Sequence, residues 1–471
     1  MSYNIDGKTE YSKEEKLALS LLKDSNLFTF ITESELSKKI EGEKESIKVI
    51  FLSMIGKNVK NAKLTSYNLL VNAESSSGKD HIVTSILEIF PKDILINRAR
   101  ISPTALTYWH CYEDEPEWSW DGKILYLEDA GNNILNSEVV KLFCSSEIKS
   151  TIIVHNKAKD FTQVGKPILI ITSASGNLHK ENLRRFSVCD LDETDNQTKV
   201  IKRRQAEEVR TGNKIDYENY IIRAMGMLKD VKVVIPFATD KLADSFPNNI
   251  IIRTNFPKFL DYIKTSACLH RYQRDRNKKG EVIATKQDYE IAREVFNKIV
   301  SNPFMIPLTM NLKSILNKFK ELKEKEQLIS SYSASELMPY FSWTDKWLKN
   351  QLDKLVEFGF LERHNEEREG VKKKVMCYQL KEICDIKISS WEEVCKNSSV
   401  DTNDSVNSVN SVNTNDTNDT EEGDDTNDSI DTPLPLDIND SLDSKDNKGT
   451  TELTEHGIPC FEIGDMNDEK P

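Results

Sequence analysis

The feature that most constrains this chain is a turn of small residues fixed between an apolar strand and a helix. Leu69-Leu70-Val71 leads into Ala73-Glu74-Ser75-Ser76-Ser77-Gly78-Lys79-Asp80-His81, and the apolar run Ile82-Val83-Thr84-Ser85-Ile86-Leu87 follows. Such a turn can wrap its backbone N–H groups around phosphate at a helix N-terminus, where the helix dipole favours an anion. The spacing is that of G-x-x-x-x-G-K-[ST], with Ala73 replacing the first glycine and Asp80 replacing the final hydroxyl residue. Lys79 would then set its ammonium on the outer phosphates. Asp80 is the awkward member. Its carboxylate can ligate Mg²⁺ directly or through water, yet it also brings negative charge toward the phosphates. A serine-rich turn of unrelated purpose would have the same composition, so the loop needs a second signal.

That signal lies about fifty residues on. Ile124-Leu125-Tyr126-Leu127 is an apolar strand that ends in Glu128-Asp129. One carboxylate would hold Mg²⁺ or its waters and the next would polarise an attacking water. Position assigns Glu128 to the metal and Asp129 to the water, although the two roles are open to being shared. A third strand, Ile168-Leu169-Ile170-Ile171, ends in Thr172-Ser173, and Thr172 is the candidate for orienting that water. Arg184 and Arg185 follow; either would stabilise transition-state charge in a neighbouring subunit, and a surface ion pair is the plainer reading. Together these residues predict an ATP site using Mg²⁺.

In sequence order the motifs resemble the AAA+ helicase module of primase-helicases from phages, plasmids and integrated elements. More distantly they resemble the minichromosome-maintenance helicases. The resemblance covers residues 65–295. It rests on the two acidic and phosphate-binding motifs, Ile101-Ser102-Pro103-Thr104-Ala105-Leu106, Arg184-Arg185-Phe186, the run Asp192 to Thr198, the run Ala267 to Arg274, and Asp288 to Ala292. It implies a homo-oligomeric ring, commonly a hexamer, with ATP between subunits. It further implies a hairpin before the third strand that points into a central channel. Thr151 to His155 and Phe161 to Val164 would be its arms, and Lys157 and Lys159 at the tip would meet DNA phosphates. Arg271 or Arg274 is similar to the lid arginine that senses nucleotide. The chain departs from the family in having no cysteine-histidine zinc cluster and no N-terminal room for a primase domain, so priming is not implied. A separate primase or another replication protein remains an expected partner.

Beyond the module, Ser333-Ala334-Ser335-Glu336-Leu337 reads as a short capped helix and Ser342-Trp343-Thr344 as a turn and cap. The next helix would bury Leu348, Leu352, Leu355 and Val356, stop at Gly359 and show Lys346 and Lys349 outward. A basic hairpin through Gly370, with Lys372, Lys373 and Lys374, completes a winged-helix pattern. Winged helices bind DNA or dock proteins, and the basic wing favours DNA. Residues 10–60 read as helices, with Thr32 and Glu35 as a capping box.

Charge separates the last segment from the rest. The net charge of −13 hides a −17 stretch at 397–471 behind a body of about +4. That stretch repeats Ser-Val-Asn and Thr-Asn-Asp and cannot bury enough apolar surface to offset chain entropy, so disorder is expected. The predicted fold is therefore α/β, a P-loop AAA+ ATPase with a helical lid, then a winged helix and a disordered acidic tail. Expected boundaries are 1–60, 61–228, 229–302, 303–388 and 397–471. No apolar run spans a bilayer and the start lacks signal-peptide character; scattered cysteines without C-x-x-C spacing suit a reduced cytoplasmic protein. A DNA-coupled motor is the leading expectation. A AAA+ loader or switch, and a DNA-binding scaffold that holds nucleotide without turnover, are the alternatives.

Overall fold

The structure, a computed structural model, describes residues 11–75, 77–111, 114–144, 148–154, 157–174, 185–212, 216–246, 252–300, 308–325, 331–368, 374–381 and 387–396. The repetitive acidic segment, Ser76, Arg184, Gly370, Lys372 and Lys373 lie outside the described residues.

Five strands form the central sheet: β1 (Leu69–Asn72), β2 (Leu95–Arg98), β3 (Ile124–Leu127), β6 (Ile168–Ser173) and β7 (Ser187–Asp190). Their order is β2-β3-β6-β1-β7 and every pairing is parallel. Strands β1, β3 and β6 are buried throughout, because both faces of the sheet are covered. Alternate side chains serve two cores. Leu69, Val71, Ile124, Tyr126, Ile168 and Ile170 face one, and Leu70, Leu125, Leu127, Leu169 and Ile171 face the other. Asn68 pins the start of the central strands: its carbonyl accepts from Ser187 N (2.8 Å) and its side-chain oxygen from Leu169 N (3.0 Å).

The first core unites segments far apart in sequence. Helices Lys13–Leu22 and Lys44–Ile55 share it with Asn219–Met227, Ile252–Leu269 and Lys286–Val300. The N-terminal helices and the helices of the expected lid are therefore one packed layer on one face of the sheet. The expected cap at Thr32 does not form. Thr32 instead donates to Phe28 O (2.8 Å) within a π turn at Phe30–Glu35. The capping box sits earlier, where Ser12 Oγ accepts from Glu15 N (3.1 Å) and the Glu15 carboxylate accepts from Ser12 N (2.9 Å). The region expected to be helical over residues 10–60 breaks at Gly42 and Glu43, whose φ values are 67° and 54°. A side chain at Gly42 would place Cβ 2.2 Å from Gln197 Oε1, so the turn approaches its neighbour closely only because glycine is there.

Strands β4 (Ile148–Val154) and β5 (Lys157–Gln163) pair antiparallel as a separate hairpin, with Val154 opposite Lys157. Lys157 and Lys159 are thus exposed strand residues, paired with Val154 and Ile152, rather than the hairpin tip expected from sequence. Gln163 ties the hairpin base to the segments around Trp109 and Trp120. Its side chain accepts from Trp120 Nε1 (2.6 Å) and donates to Trp109 O (3.0 Å).

A third core belongs to the C-terminal elements: helix Met310–Lys325, β8 (Ser331–Ser333), helices Ala334–Leu337 and Asp345–Glu357, β9 (Leu361–Glu366) and β10 (Val375–Leu380). Their sheet order is β8-β10-β9, all antiparallel. Ser333 and Glu336 form a capping box, Thr344 caps the next helix, and Gly359 at φ 88° ends it. The chain then returns to the first core, where Trp391 packs edge-on against Tyr289 and Phe237.

Among the described residues no helix is long and apolar enough to cross a membrane. One buried charge makes a test of the packing. Lys258 is enclosed and donates to Phe186 O (3.1 Å); burial pulls its amine down to about 7. The folded state thus favours the neutral amine, and its stability falls as pH drops from the unfolded value of 10.5 toward 7, then no further. Lys258→Met is expected to melt higher than wild type at pH 7, with the gap closing by pH 10. Parallel thermal melts across that range check it; a gap independent of pH would refute the assignment.

Candidate functional site

The carboxyl ends of β1, β3 and β6 converge on one point, because β6 lies between β1 and β3. In parallel α/β sheets this edge is where ligands bind. After β1 the Ser77 amide donates to Glu74 O (3.3 Å), the chain reverses at Gly78 with φ 85°, and the helix Lys79–Leu87 begins. Space beside a Gly78 Cβ is open, so glycine is required there by backbone conformation alone. Ala73 is buried, which suits a first loop position that needs only a small residue.

Lys79 is 4% exposed. Its Nζ lies 3.3 Å from Asp129 Oδ1 and 4.0 Å from Asp80 Oδ2. Asp80 Oδ1 accepts from Thr172 Oγ1 (2.5 Å) and from Tyr126 OH (2.9 Å). Burial, with the Asp80 carboxylate adding to it, pushes the Tyr126 phenol well above its ordinary range, so it stays a donor. Thr172 Oγ1 also accepts from Asp129 N (2.8 Å), and Ala130 N donates to Thr172 O (2.8 Å). These bonds hold the turn after β3, where Asp129 takes a left-handed φ of 42° that asparagine and aspartate tolerate better than most residues. Lys79, Asp80, Asp129 and Thr172 are thus brought together, with Tyr126 as an added member. Glu128 is half-buried at the same strand end, its amide on Arg98 O (3.1 Å).

Among the described residues no cluster of three or more His, Cys, Asp or Glu would hold a metal ion unaided. Mg²⁺ takes one or two carboxylates and completes its shell with phosphates and water. Asp80 and Glu128 offer the oxygens.

Beside the loop is a cavity of about 630 Å³. Ser75, Ser77, Gly78 and His81 form one wall, and Gln197, Ile201, Lys202 and Arg204 of the helix Asp195–Thr211 form the opposite one. The turn Lys39–Glu43 closes the bottom. Gln197 ties the helix to that turn by donating to Glu41 O (2.7 Å), and Arg204 pairs with Glu41 (3.1 Å) and Glu208 (3.0 Å). Burial raises the Glu43 carboxyl above its ordinary value, against the pull of its bonds from Ser46 and the Asp192 amide. His81 Nε2 lies 3.0 Å from Lys39 O, and the Glu74 amide donates to Glu193.

Other expected residues lie elsewhere. Arg274 commits its guanidinium to Asp288 (2.8 and 2.9 Å) and Gln287 (3.0 Å), and Arg271 donates to Lys229 O; neither lines the cavity. The reason is local, since Asp288 is fully buried and needs a cation of its own. Arg185 is half-buried, with Nη1 3.4 Å from Lys141 O. In the C-terminal elements Lys346 is exposed, Lys349 pairs with Asp345 (2.7 Å), and Lys374 lies 3.6 Å from Glu367.

Sequence reasoning missed Tyr126 and the helix Asp195–Thr211. A lone phenol inside an aliphatic strand was the available signal for the first. A capped helix start at Thr194 was the signal for the second. Residues 12–229 match the family described as MTBMA_p00010 P-loop domain, a span that covers β1–β7 and a little under half of the chain. No curated protein matches the chain. That similarity supports a P-loop module over residues 12–229, the kind of domain that binds nucleotide.

Proposed function

We propose that the chain is an ATP-dependent DNA helicase or translocase in the replication system of a mobile or viral element, hydrolysing ATP between subunits of a homo-oligomeric ring. The convergence of Lys79, Asp80, Asp129 and Thr172 at the end of β6 carries the reading. In it, Ala73 to His81 cradle the phosphates, Lys79 neutralises them, and Asp80 and Glu128 supply Mg²⁺ ligands. Asp129 polarises the attacking water with Thr172 beside it, and Arg184 or Arg185 reaches in from the adjacent subunit. The hairpin β4–β5 supports a DNA channel through exposed Lys157 and Lys159. Helix, strand, two helices and a hairpin in the C-terminal elements support a winged helix, with Lys346 and Lys349 on its exposed helix face.

Hydrolysis by the purified full chain, with and without single-stranded DNA, tests this. DNA-stimulated turnover that Asp129→Ala removes is the expected result. Turnover no higher than that of Asp129→Ala, with or without DNA, would sink the motor.

One observation favours a nucleotide switch as the second reading. The Thr172 hydroxyl donates its single proton to Asp80, at the loop position where a hydroxyl usually meets the metal. Asp80 must turn before Thr172 can hold a water, which suits slow turnover.

A further inference from the structure

Helix Met310–Lys325 belongs by packing to the C-terminal elements, through Leu312, Ile315, Leu316, Phe319 and Leu322. Its first turn nevertheless reaches the P-loop module. Met310 is part of the cavity wall beside Gly78 and remains 39% exposed there. Three residues on, and so on the same helix face, Lys313 places Nζ 3.5 Å from Asp190 Oδ1 and 3.8 Å from Glu193 Oε2. That nitrogen is closed off from solvent. An ammonium without water needs carboxylates for neutralisation, so its position depends on theirs.

Both carboxylates are tied to the phosphate loop. Glu193 accepts from the Glu74 amide inside the loop. Asp190 accepts from Asn72 Nδ2 (2.7 Å) at the end of β1, where the loop begins. Lys313 is therefore joined to the loop by two short paths, each a charge and one hydrogen bond long. A loop that closes on phosphate moves Glu74, and with it the carboxylate that holds Lys313.

We infer that helix Met310–Lys325 reports the state of the nucleotide cavity to the C-terminal elements, with Lys313 as the positioning residue and Met310 as the surface a bound nucleotide covers. This rests on the nucleotide site proposed above. Bound nucleotide orders the loop, the loop fixes Glu193, and Glu193 fixes the helix that carries the third core. The linkage runs both ways, so whatever holds that helix also biases the loop.

Amide hydrogen exchange on the full chain, with and without a non-hydrolysable ATP analogue and Mg²⁺, tests it. In wild type the analogue is expected to slow exchange about 5-fold or more both in residues 73–87 and in residues 310–325. In Lys313→Met the loop is still slowed and the helix is not; Lys313→Arg restores the helix response. Glu193→Gln keeps an acceptor for the Glu74 amide but loses the charge, and it is expected to behave as Lys313→Met does should that variant fold poorly. An unchanged helix in wild type, or a helix response in both Lys313→Met and Glu193→Gln equal to wild type, overturns the inference while leaving the nucleotide site standing. No slowing of the loop in wild type would remove the site and the inference together.

Discussion

Lys79→Ala is expected to cut ATP hydrolysis about 100- to 1000-fold, the range seen when one preorganised charge-stabilising donor is lost from an active site. The loss has two sources. The ammonium no longer meets the phosphates, and Asp80 and Asp129, which face Lys79 Nζ at 4.0 and 3.3 Å, lose the cation that separates their charges. Carboxylates left together repel the nucleotide as well as each other. With the proposed site, Mg·ATP is expected to raise the melting temperature of wild type, and the variant is expected to lose that rise. Turnover is read by phosphate release and binding by thermal shift. Full thermal shift with normal turnover would show that Lys79 is a structural ion-pair residue and that the loop is not a phosphate site.

The second large effect concerns stability. Asp288→Ala is expected to destabilise the chain by about 3–5 kcal/mol, the usual result of removing one partner from a buried ion pair. Asp288 is fully buried and accepts from Arg274 Nε and Nη2, Ser266 Oγ (2.8 Å), Thr285 N (2.8 Å) and Thr285 Oγ1 (3.0 Å). Its loss strands the guanidinium and the start of the helix Lys286–Val300. His270 lies 3.7 Å away, and burial holds its imidazole below the ordinary value despite the carboxylate. Denaturant unfolding measures the change. The same residue separates two roles for Arg274. A nucleotide-sensing arginine would weaken ATP affinity when replaced by methionine, whereas the observed pairing places the whole effect in stability. Comparing the ATP affinity of folded Arg274→Met with wild type decides between them.

The two outcomes show how unevenly the site could be read from sequence. The phosphate loop is a local object: five small residues, a lysine and a helix start lie close together in the chain, so composition and spacing expose them. The strands were legible for the same reason, as continuous apolar runs of a sheet covered on both faces. β7 was not, because Ser187-Val188-Cys189-Asp190 at the sheet edge has too little apolar periodicity to stand out. The hairpin was expected in the right segment, yet its turn was placed on lysines that pair within β5. Polarity marks exposure, and an exposed strand is as polar as a turn.

The arginines of the 267–274 segment mark a different limit. Their sequence neighbourhood resembles that of nucleotide-sensing residues, but a side chain's partner is set by whatever buried charge lies within reach. Asp288 lies within reach of Arg274 and claims it.

By itself, then, the sequence determined the elements whose causes are local: the loop at 73–81, the acidic end of β3, the capped helices at Ser333 and Thr344, and the segregation of negative charge into the last residues. Only the tertiary structure decided the strand order that sets β6, and with it Thr172, between the strands leading to Lys79 and Asp129. It also decided the sharing of one core by residues 13–55 and 217–300, and the reach of Lys313 to Glu193 across more than a hundred residues. Those choices minimise exposed apolar surface and unpaired charge over the whole chain at once, and no window of sequence contains both partners.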